Sequence, residues 1–365
     1  MKQYRFRNER RYKRRRTAIV LMLLTVVLIL AAYFLLKDGH FLSGNTQSPA
    51  PSQSGTETPG SAAPSTPEPS ETSTPSPSPE ANGIVTEDHG FLPAIGSVEK
   101  SGKMGEIKAK AEDFISKQLG KYGVYFIDLA TGEYFGINDR DEYIAASTTK
   151  LPMNLFLYTK IESGEVDLES KLKYLKEDFE AGTGIIQNQP FGTEYTVRET
   201  SRLSIIHSDN CSINMIIRVL GIENICNYIL DLGGDIYYDD RHRTSPHDLG
   251  LVTQELYRLY LNNPELYGEM IYNLENTDWE DRISAKLPAE VKVAHKIGNQ
   301  VRTANDVGIV FASHPFVLAV MTKDVDFGTA CNKIADLSKM IYDEVEVYTA
   351  QNPFFEPMDA NVIQL

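Results

Sequence analysis

A chain of 365 residues with 42% hydrophobic residues and a net charge of −14 is long enough to bury a sizeable core. Its acidic balance argues against nucleic acid or an anionic surface as the partner. Three cysteines, Cys211, Cys226 and Cys331, are too few for a disulfide framework. We expect buried free thiols, and a Cys211–Cys226 bridge is the alternative.

The N-terminal segment is predicted to anchor the protein in a membrane. Residues 1–16 contain nine Lys or Arg and one Glu, and Thr17–Leu36 is a run of twenty residues without a charged side chain. A helix of that length crosses the hydrocarbon core of a bilayer. The positive-inside rule then puts residues 1–16 in the cytoplasm and the remaining chain outside the cell membrane. A cleaved signal peptide is the competing interpretation, although no clean cleavage site follows the apolar run.

Residues 37–100 are predicted to form a disordered stalk rich in Pro, Ser and Thr. Pro49–Pro79 holds nine of the eighteen prolines, and such a composition cannot bury enough apolar surface to offset the entropy of ordering. At a polyproline rise of about 3.1 Å per residue the stalk can span on the order of 100 Å. A folded domain is predicted at residues 101–348, followed by a C-terminal tail at 349–365.

The domain is predicted to begin with a helix and a hairpin. Gly105–Leu119 has apolar residues at helical spacing, and Tyr122–Gly136 reads as two strands around a Thr131-Gly132 turn. A helix that starts near Ser147 follows, because Pro152 is tolerated only close to a helix start.

The middle of the domain, residues 151–286, is predicted to be an all-α insertion. A Gly-rich loop at Asp178–Thr193 precedes a capping box in which Thr196 and Glu199 open a helix. Further helical runs follow Asn210 and Pro246.

Strand character returns in three consecutive runs, which are Val291–Gly298, Asp306–Ala312 and Phe316–Thr322. Apolar spacing around Ile334 then predicts a closing helix. The order of elements predicts an α/β (α+β) fold with one five-stranded antiparallel sheet. The terminal helices should cover one face of the sheet and the insertion the other. A site is expected in the crevice between the parts.

Ser147 and Lys150 are the first candidate catalytic residues. They are three positions apart on the predicted helix and therefore on one face of it. A serine hydroxyl is a weak nucleophile that needs a base, or a cation that lowers its pKa, within hydrogen-bond reach. Lys150 can be either.

Two further motifs follow in the chain, Ser208-Asp209-Asn210 before a helix and Lys296-Ile297-Gly298 on a strand. Each of these motifs alone also occurs among ordinary residues that have no catalytic role. Together with Ser147-Thr-Thr-Lys150, their order and spacing resemble the penicillin-recognising serine enzymes, and class A β-lactamases in particular, from about residue 104 to 345. The resemblance implies a β-lactamase/DD-peptidase-like fold.

The resemblance also implies roles for individual residues. Ser147 would be acylated, with Lys150 accepting its proton or holding the network that does. Ser208, supported by Lys296, would relay a proton to the leaving nitrogen. Asn210 and Gly298 would contact the substrate, and Asp209 would be structural. The backbone N–H groups of Ser147 and Asn299 would form the oxyanion hole.

Two departures from the class A pattern bear on activity. Class A enzymes carry a Glu that activates the deacylating water, whereas this chain has no Glu between Glu223 and Glu255. Asp239 and Asp240 are the nearby carboxylates that would have to replace it. Ile297 also stands where a hydroxyl residue helps to bind a substrate carboxylate, and Arg302 is a candidate to supply that charge.

The expected function is therefore a membrane-anchored extracellular serine hydrolase with slow deacylation and a monomeric ectodomain. Its substrate would be a β-lactam or a small peptidoglycan-derived amide, and no cofactor is expected. A D-Ala-D-Ala carboxypeptidase and a non-catalytic wall-binding or sensor module are the alternatives. His242 and His247, with Asp239, Asp240 and Asp248, match no zinc-binding pattern, so no metal site is predicted.

Overall fold

The computed structural model describes residues 100–236 and 242–350. The chain divides into two units, Met1–Ser78 and Pro79–Leu365, and every described residue belongs to the second unit. The predicted cytoplasmic segment, the membrane helix, the stalk up to residue 99, and the tail from residue 351 lie outside the described residues. So do Asp239 and Asp240.

A five-stranded antiparallel sheet forms the centre of the domain, in the strand order β2-β1-β9-β8-β7. Adjacent strands pair antiparallel throughout, as the sequence predicted. β7 is an edge strand and runs beside the candidate site. The strands are β1 (Lys121–Asp128), β2 (Tyr134–Ile137), β7 (Lys292–Gln300), β8 (Thr303–Phe311) and β9 (Phe316–Lys323).

The terminal helices α1 (Met104–Ser116) and α8 (Phe327–Ala350) pack on one face of this sheet. Their apolar side chains and the strand residues on that face form one of two main cores, which contains the buried residues Ile107, Phe126 and Ile334. Burial of such side chains is the main stabilising contribution to the domain.

The helical part packs on the other face of the sheet and forms the second main core. Two of its helices begin at N-cap residues whose side chains accept a backbone hydrogen bond. The Thr196 side chain accepts from the N–H of Glu199, and the Ser245 side chain, just before Pro246, accepts from the N–H of Asp248. The helices are α2 (Lys150–Glu162), α3 (Val197–Ile206), α4 (Asn210–Leu220), α5 (Ile222–Asp231), α6 (Pro246–Asn262) and α7 (Pro264–Glu275).

The predicted all-α insertion also contains strands. β4 (Lys171–Lys173) pairs with β5 (Glu194–Thr196), and β6 (Arg243–Thr244) pairs with β3 (Tyr143–Ile144) just before Ser147. Segments of two or three residues carry too little alternation for a periodicity argument, which is why the sequence did not predict them.

All three cysteines are buried, and no disulfide bond joins any two of them. Within residues 100–236 and 242–350 no single helix has the length and apolarity needed to span a bilayer. Only the bent pair Asn210–Leu220 and Ile222–Asp231 would do so by length and composition.

Candidate active site

Ser147 lies half-buried in a short 3-10 helix, Ala146–Thr149, that leads directly into α2. Ala146 has a φ of +50°, a conformation that residues with a side chain adopt rarely, and the Thr148 hydroxyl donates to the carbonyl of Ala145 over 2.6 Å. Lys150 follows one turn later, and its Nζ donates to Ser147 Oγ over 3.1 Å.

Two neighbouring strands hold the nucleophile turn in place. Asn305 of β8 donates its side-chain N–H to the carbonyl of Ile144 over 2.8 Å. Gly298 of β7 comes so close that a Cβ there would lie 2.8 Å from the carbonyl oxygen of Ala145. A glycine at this position is therefore needed for β7 to approach Ser147.

The Ser208-Asp209-Asn210 segment stands opposite the nucleophile, at the start of α4. Asp209 is fully buried and accepts from three backbone N–H groups, those of Ile185 (2.5 Å), Ile186 (2.8 Å) and Ser212 (2.9 Å). Its carboxylate thereby fixes the Gly-rich loop on the start of α4, which is a structural position.

The side chain of Lys150 connects the nucleophile with this segment. Besides Ser147 Oγ, its Nζ lies 2.7 Å from the carbonyl oxygen of Ser208, 3.2 Å from Ser208 Oγ and 2.7 Å from Asn210 Oδ1. Lys150 is 3% exposed, so these oxygens replace the water that an ammonium group normally binds.

Lys296 reaches the same hydroxyl from the sheet. It is fully buried on β7, and its Nζ lies 3.0 Å from Ser208 Oγ and 3.2 Å from the carbonyl oxygen of Ile297. The Nζ also sits 5.7 Å from the ring centroid of Trp279. The structure thus brings together the four predicted residues Ser147, Lys150, Ser208 and Lys296.

Burial favours the neutral form of both lysines, and the charge of Lys150 adds to this effect at Lys296. Burial lowers the pKa of Lys150 to about 8, although the negative charges of Glu180 and Asp209 oppose the shift. Burial, and then the positive charge of Lys150, hold the pKa of Lys296 well below its ordinary value. A lysine with such a pKa can accept a proton near neutral pH, which a solvated lysine cannot do.

Asn299 and Arg302 lie on either side of the end of β7. Asn299 is exposed, and its side-chain oxygen accepts from the Arg282 guanidinium over 2.6 Å. Arg302 has a φ of +56° in the turn between β7 and β8, and its Nε lies 3.4 Å from the carboxylate of Asp324 after β9.

The role of Arg302 in binding a substrate carboxylate stays a prediction. Its side chain pairs with Asp324 after β9, and Arg302 and Gln118 line the same cavity. Among the described residues no hydrogen bond or ion pair links Arg302 to the four-residue cluster.

Three residues of the site region were missed by the sequence analysis. Glu180 lies in the Gly-rich loop and contacts Asn210, Arg282 is a fully buried cation beneath Asn299, and Trp279 covers Lys296. Trp279 is the only tryptophan of the chain, which is a weak signal. Nothing in the spacing of Glu180 or Arg282 distinguishes them from surface charges.

The acidic and histidine residues near the start of α6 form a separate cluster. Asp235, His247 and Asp248 offer ligand atoms within 4.8 Å of one another. The Arg140 guanidinium already pairs with Asp235 and lies 3.1 Å from His247 Nε2, which must accept because guanidinium only donates. The guanidinium group of Arg140 thus already supplies a positive charge at this cluster, and we assign no metal site there.

Comparisons with known proteins agree with the geometry. The model of the β-lactamase enzyme family matches residues 106–345. β-Lactamase SME-1 of Serratia marcescens is 24% identical over 266 residues, which cover 66% of this chain and 88% of the relative. β-Lactamase VEB-1 of Pseudomonas aeruginosa is 21% identical over 239 residues, covering 58% and 80%.

Solved structures share the fold. PBP-A aligns with a TM-score of 0.62 and 23% identity, covering 66% of this chain and 96% of PBP-A. A mutant of PBP-A solved as an acyl-enzyme complex with penicillin-G has a TM-score of 0.63. A β-lactamase from Sphaerobacter thermophilus aligns at 0.60 with 23% identity, covering 67% and 98%.

Proposed function

The chain belongs to the β-lactamase enzyme family, and we propose that it is a serine hydrolase acylated on Ser147 by β-lactams or a related cell-wall amide. The observation that carries the proposal is the pair of buried lysines around two serine hydroxyls. Lys150 Nζ lies 3.1 Å from Ser147 Oγ, and Lys296 Nζ lies 3.0 Å from Ser208 Oγ. Burying two lysine side chains beside one hydroxyl is costly whether they are charged or neutral, and a purely structural role does not account for that cost.

Acylation would use each of the four side chains. Neutral Lys150 accepts the Ser147 proton as Oγ attacks the amide carbonyl. The backbone N–H groups of Ser147 and Asn299 would stabilise the oxyanion, since β7 is an edge strand with outward N–H groups. When the C–N bond breaks, Ser208 donates its proton to the nitrogen. Lys150, which holds the proton taken from Ser147 and lies 3.2 Å from Ser208 Oγ, restores that proton, while Lys296 at 3.0 Å keeps the hydroxyl in position.

Deacylation is proposed to be slow. The ester can be hydrolysed quickly only if a base activates a water molecule beside it. Among the described residues no carboxylate forms a hydrogen bond with Ser147 or Lys150. The segment between α5 and α6 contains Asp235, Asp239 and Asp240 but no Glu. We therefore expect the acyl-enzyme to persist.

Incubation of the folded domain with a fluorescent penicillin, followed by intact-mass measurement over hours, tests both parts of this proposal. Labelling that lasts for hours supports acylation with slow turnover, and rapid loss of the label indicates an efficient β-lactamase. Ser147→Ala is the control. Labelling that survives this substitution would identify a different nucleophile, and no labelling of the wild type would leave a binding or sensor module.

A D-Ala-D-Ala carboxypeptidase is the second candidate function. The missing water-activating Glu favours it, because a peptidase that reacts with penicillin is trapped as the acyl-enzyme. Release of D-alanine from a peptide that ends in D-Ala-D-Ala, measured with wild type and Ser147→Ala, decides between the two.

We also propose that the enzyme acts outside the cell membrane, held by Thr17–Leu36 and spaced from it by the stalk as a monomer. Nine basic residues before the apolar run and the Pro-rich composition after it support this. Full-length protein should remain in the membrane fraction after high-salt washing, and its catalytic domain should be cleaved by protease added to intact cells. Release by salt, or protection of the domain, contradicts the proposal.

A further inference from the structure

Glu180 places a carboxylate at the rim of the proposed site. It lies on the loop between β4 and β5, is exposed, and is held by two side-chain amides of α4. Asn210 Nδ2 donates to Glu180 Oε1 over 3.2 Å, and Asn214 Nδ2 donates to Glu180 Oε2 over 3.1 Å. In the part of the chain that the structure describes, no Lys, Arg or His pairs with Glu180 within 4.0 Å.

The loop that carries Glu180 is fixed against the catalytic residues. The Thr183 hydroxyl donates to the carbonyl of Ser208 over 2.6 Å. Gly182 has a φ of +144°, and a Cβ there would lie 2.8 Å from Asn210 Nδ2. Two amides and a tightly packed loop therefore orient the carboxylate before any substrate binds. This reduces the conformational entropy that is lost when a substrate binds to it.

The positions of the two serines indicate which half of a substrate meets Glu180. The leaving nitrogen must lie near Ser208 Oγ, which contacts Lys296 on the β7 side. Asn210 contacts Lys150 through Oδ1 and Glu180 through Nδ2, so it lies on the loop side of the nucleophile. The acyl half of the amide, on the other side of the carbonyl from the leaving nitrogen, extends toward this loop.

We propose that Glu180 is a specificity residue that binds an ammonium group on the acyl half of the substrate. The inference rests on the proposed acylation of Ser147 and adds the substrate class: amides whose acyl part carries a primary amine near the scissile carbonyl. A carboxylate that already accepts two amide N–H groups keeps free lone pairs for such a charged donor.

Two penicillins that differ only by an amino group on the acyl side chain provide the probe. Benzylpenicillin lacks the amine, and ampicillin carries it beside the side-chain carbonyl. The second-order rate constant of acylation is measured for both by intact mass at pH 7 and low salt. We expect the wild type to react about threefold to tenfold faster with ampicillin, the effect of a partly exposed ion pair.

Glu180→Gln is the test variant, because its side-chain oxygen can still accept from Asn210 while the charge is gone. It should remove the preference, which is the ratio of the two rate constants, so that a change common to both penicillins through the pKa of Lys150 cancels. Glu177→Gln is the matched control: it removes the same charge from an exposed residue of the loop that pairs with Arg218 at 3.6 Å. This variant should keep the preference.

Each other outcome overturns the inference. Equal rates of wild type with the two penicillins, or a Glu180→Gln variant that slows both equally, mean that Glu180 only positions Asn210. Loss of the preference in Glu177→Gln as well means that the general charge of the loop is responsible. A wild type that reacts with neither penicillin overturns this inference and the proposed function together.

Discussion

At the scale of single residues, the Ser208 hydroxyl is the point that two buried lysines share. Lys150 Nζ and Lys296 Nζ lie 3.2 Å and 3.0 Å from it. Burial lowers the pKa of Lys150, and burial followed by the charge of Lys150 lowers the pKa of Lys296. The protein thereby obtains a basic amine near neutral pH without a histidine in this cluster.

The first prediction concerns the pH dependence of acylation. The pKa of Lys150 is lowered to about 8, and only the neutral amine can accept the Ser147 proton. The acylation rate constant should therefore rise with pH between 6 and about 8 and level off above that. Stopped-flow or quench measurements with benzylpenicillin across this range check the profile.

Lys150→Arg gives the control for this pH profile. Arginine keeps the positive charge but cannot release its proton, so acylation should fall at least about 100-fold at every pH. A flat wild-type profile, or an active arginine variant, would mean that Lys150 acts as a fixed cation and not as a base.

The second prediction concerns the stability contributed by a buried pair next to Lys296. His295 Nδ1 lies 2.9 Å and 3.0 Å from the two carboxylate oxygens of Asp306, both residues are fully buried, and Glu280 lies 3.5 Å from His295 Nε2. Burial opposes both charges. The Asp306 carboxylate nevertheless raises the pKa of His295 to about 9, and the imidazolium holds the pKa of Asp306 below its ordinary value.

Because folding raises the pKa of His295, protonation of this residue stabilises the fold. The stabilisation is complete below the pKa of an unfolded histidine, about 6.5, and is lost as the pH rises through about 9. The lowered pKa of Asp306 stabilises the fold above about pH 4, and this contribution is lost in acid. The free energy of unfolding should thus fall by about 2–3 kcal/mol between pH 6.5 and 9 in the wild type. Urea unfolding of His295→Gln, which should show a much flatter dependence, checks this; equal slopes contradict it.

At the scale of secondary-structure elements, the sequence predicted the parts with strong local signals. The sheet, the terminal helices and the caps at Thr196 and Pro246 follow from periodicity and side-chain chemistry. The sequence did not predict the strand pairs β3–β6 and β4–β5 or the position of Glu180. These features depend on contacts between segments that are distant in the chain. The ion pair of Arg302 with Asp324 depends on such a contact as well.

The Gly-rich loop provides the third prediction. Gly184 has a φ of +103°, and a Cβ there would lie 2.2 Å from the Asp209 carboxylate; Gly192 has a φ of +94° with no atom within 4 Å. Gly192→Ala should cost only backbone strain, about 1–2 kcal/mol. Gly184→Ala should cost at least about 3 kcal/mol, because it also displaces Asp209.

The two alanine variants are compared by thermal unfolding and by their rate of acylation. Gly184→Ala should also slow acylation, since Asp209 fixes the segment that carries Ser208 and Asn210. Gly192→Ala should acylate at the wild-type rate. Equal losses of stability and rate in the two variants would mean that the contact between the loop and Asp209 does not hold the site.

At the scale of the whole molecule, a buried polar network joins the C-terminal helix to the sheet. Asp128 at the end of β1 is fully buried and accepts from the Tyr348 hydroxyl of α8 over 2.5 Å, and His314 Nδ1 lies 2.7 Å away. Its other oxygen accepts from the N–H groups of Ala130 and Thr131. The network links α8 to the end of β1 on the face of the sheet that the terminal helices cover.

Removal of one donor from this network gives the fourth prediction. Tyr348→Phe should lower the free energy of unfolding by about 1–3 kcal/mol, because it leaves a buried carboxylate with one donor fewer. Thermal unfolding measures the change, with the 62% exposed Tyr272→Phe as the control expected to be neutral. A Tyr348→Phe variant as stable as the control would show that the network contributes no net stability.

The proposed mechanism requires acylation of Ser147, and the position of a covalently bound penicillin shows whether it occurs. The protein is exposed to benzylpenicillin, digested with trypsin and analysed by tandem mass spectrometry, which separates residues 141–150 as one peptide. We expect the full mass of the penicillin on Ser147 and on no other residue. An adduct on a different residue, or no adduct under conditions in which a known penicillin-binding enzyme is labelled, would contradict it.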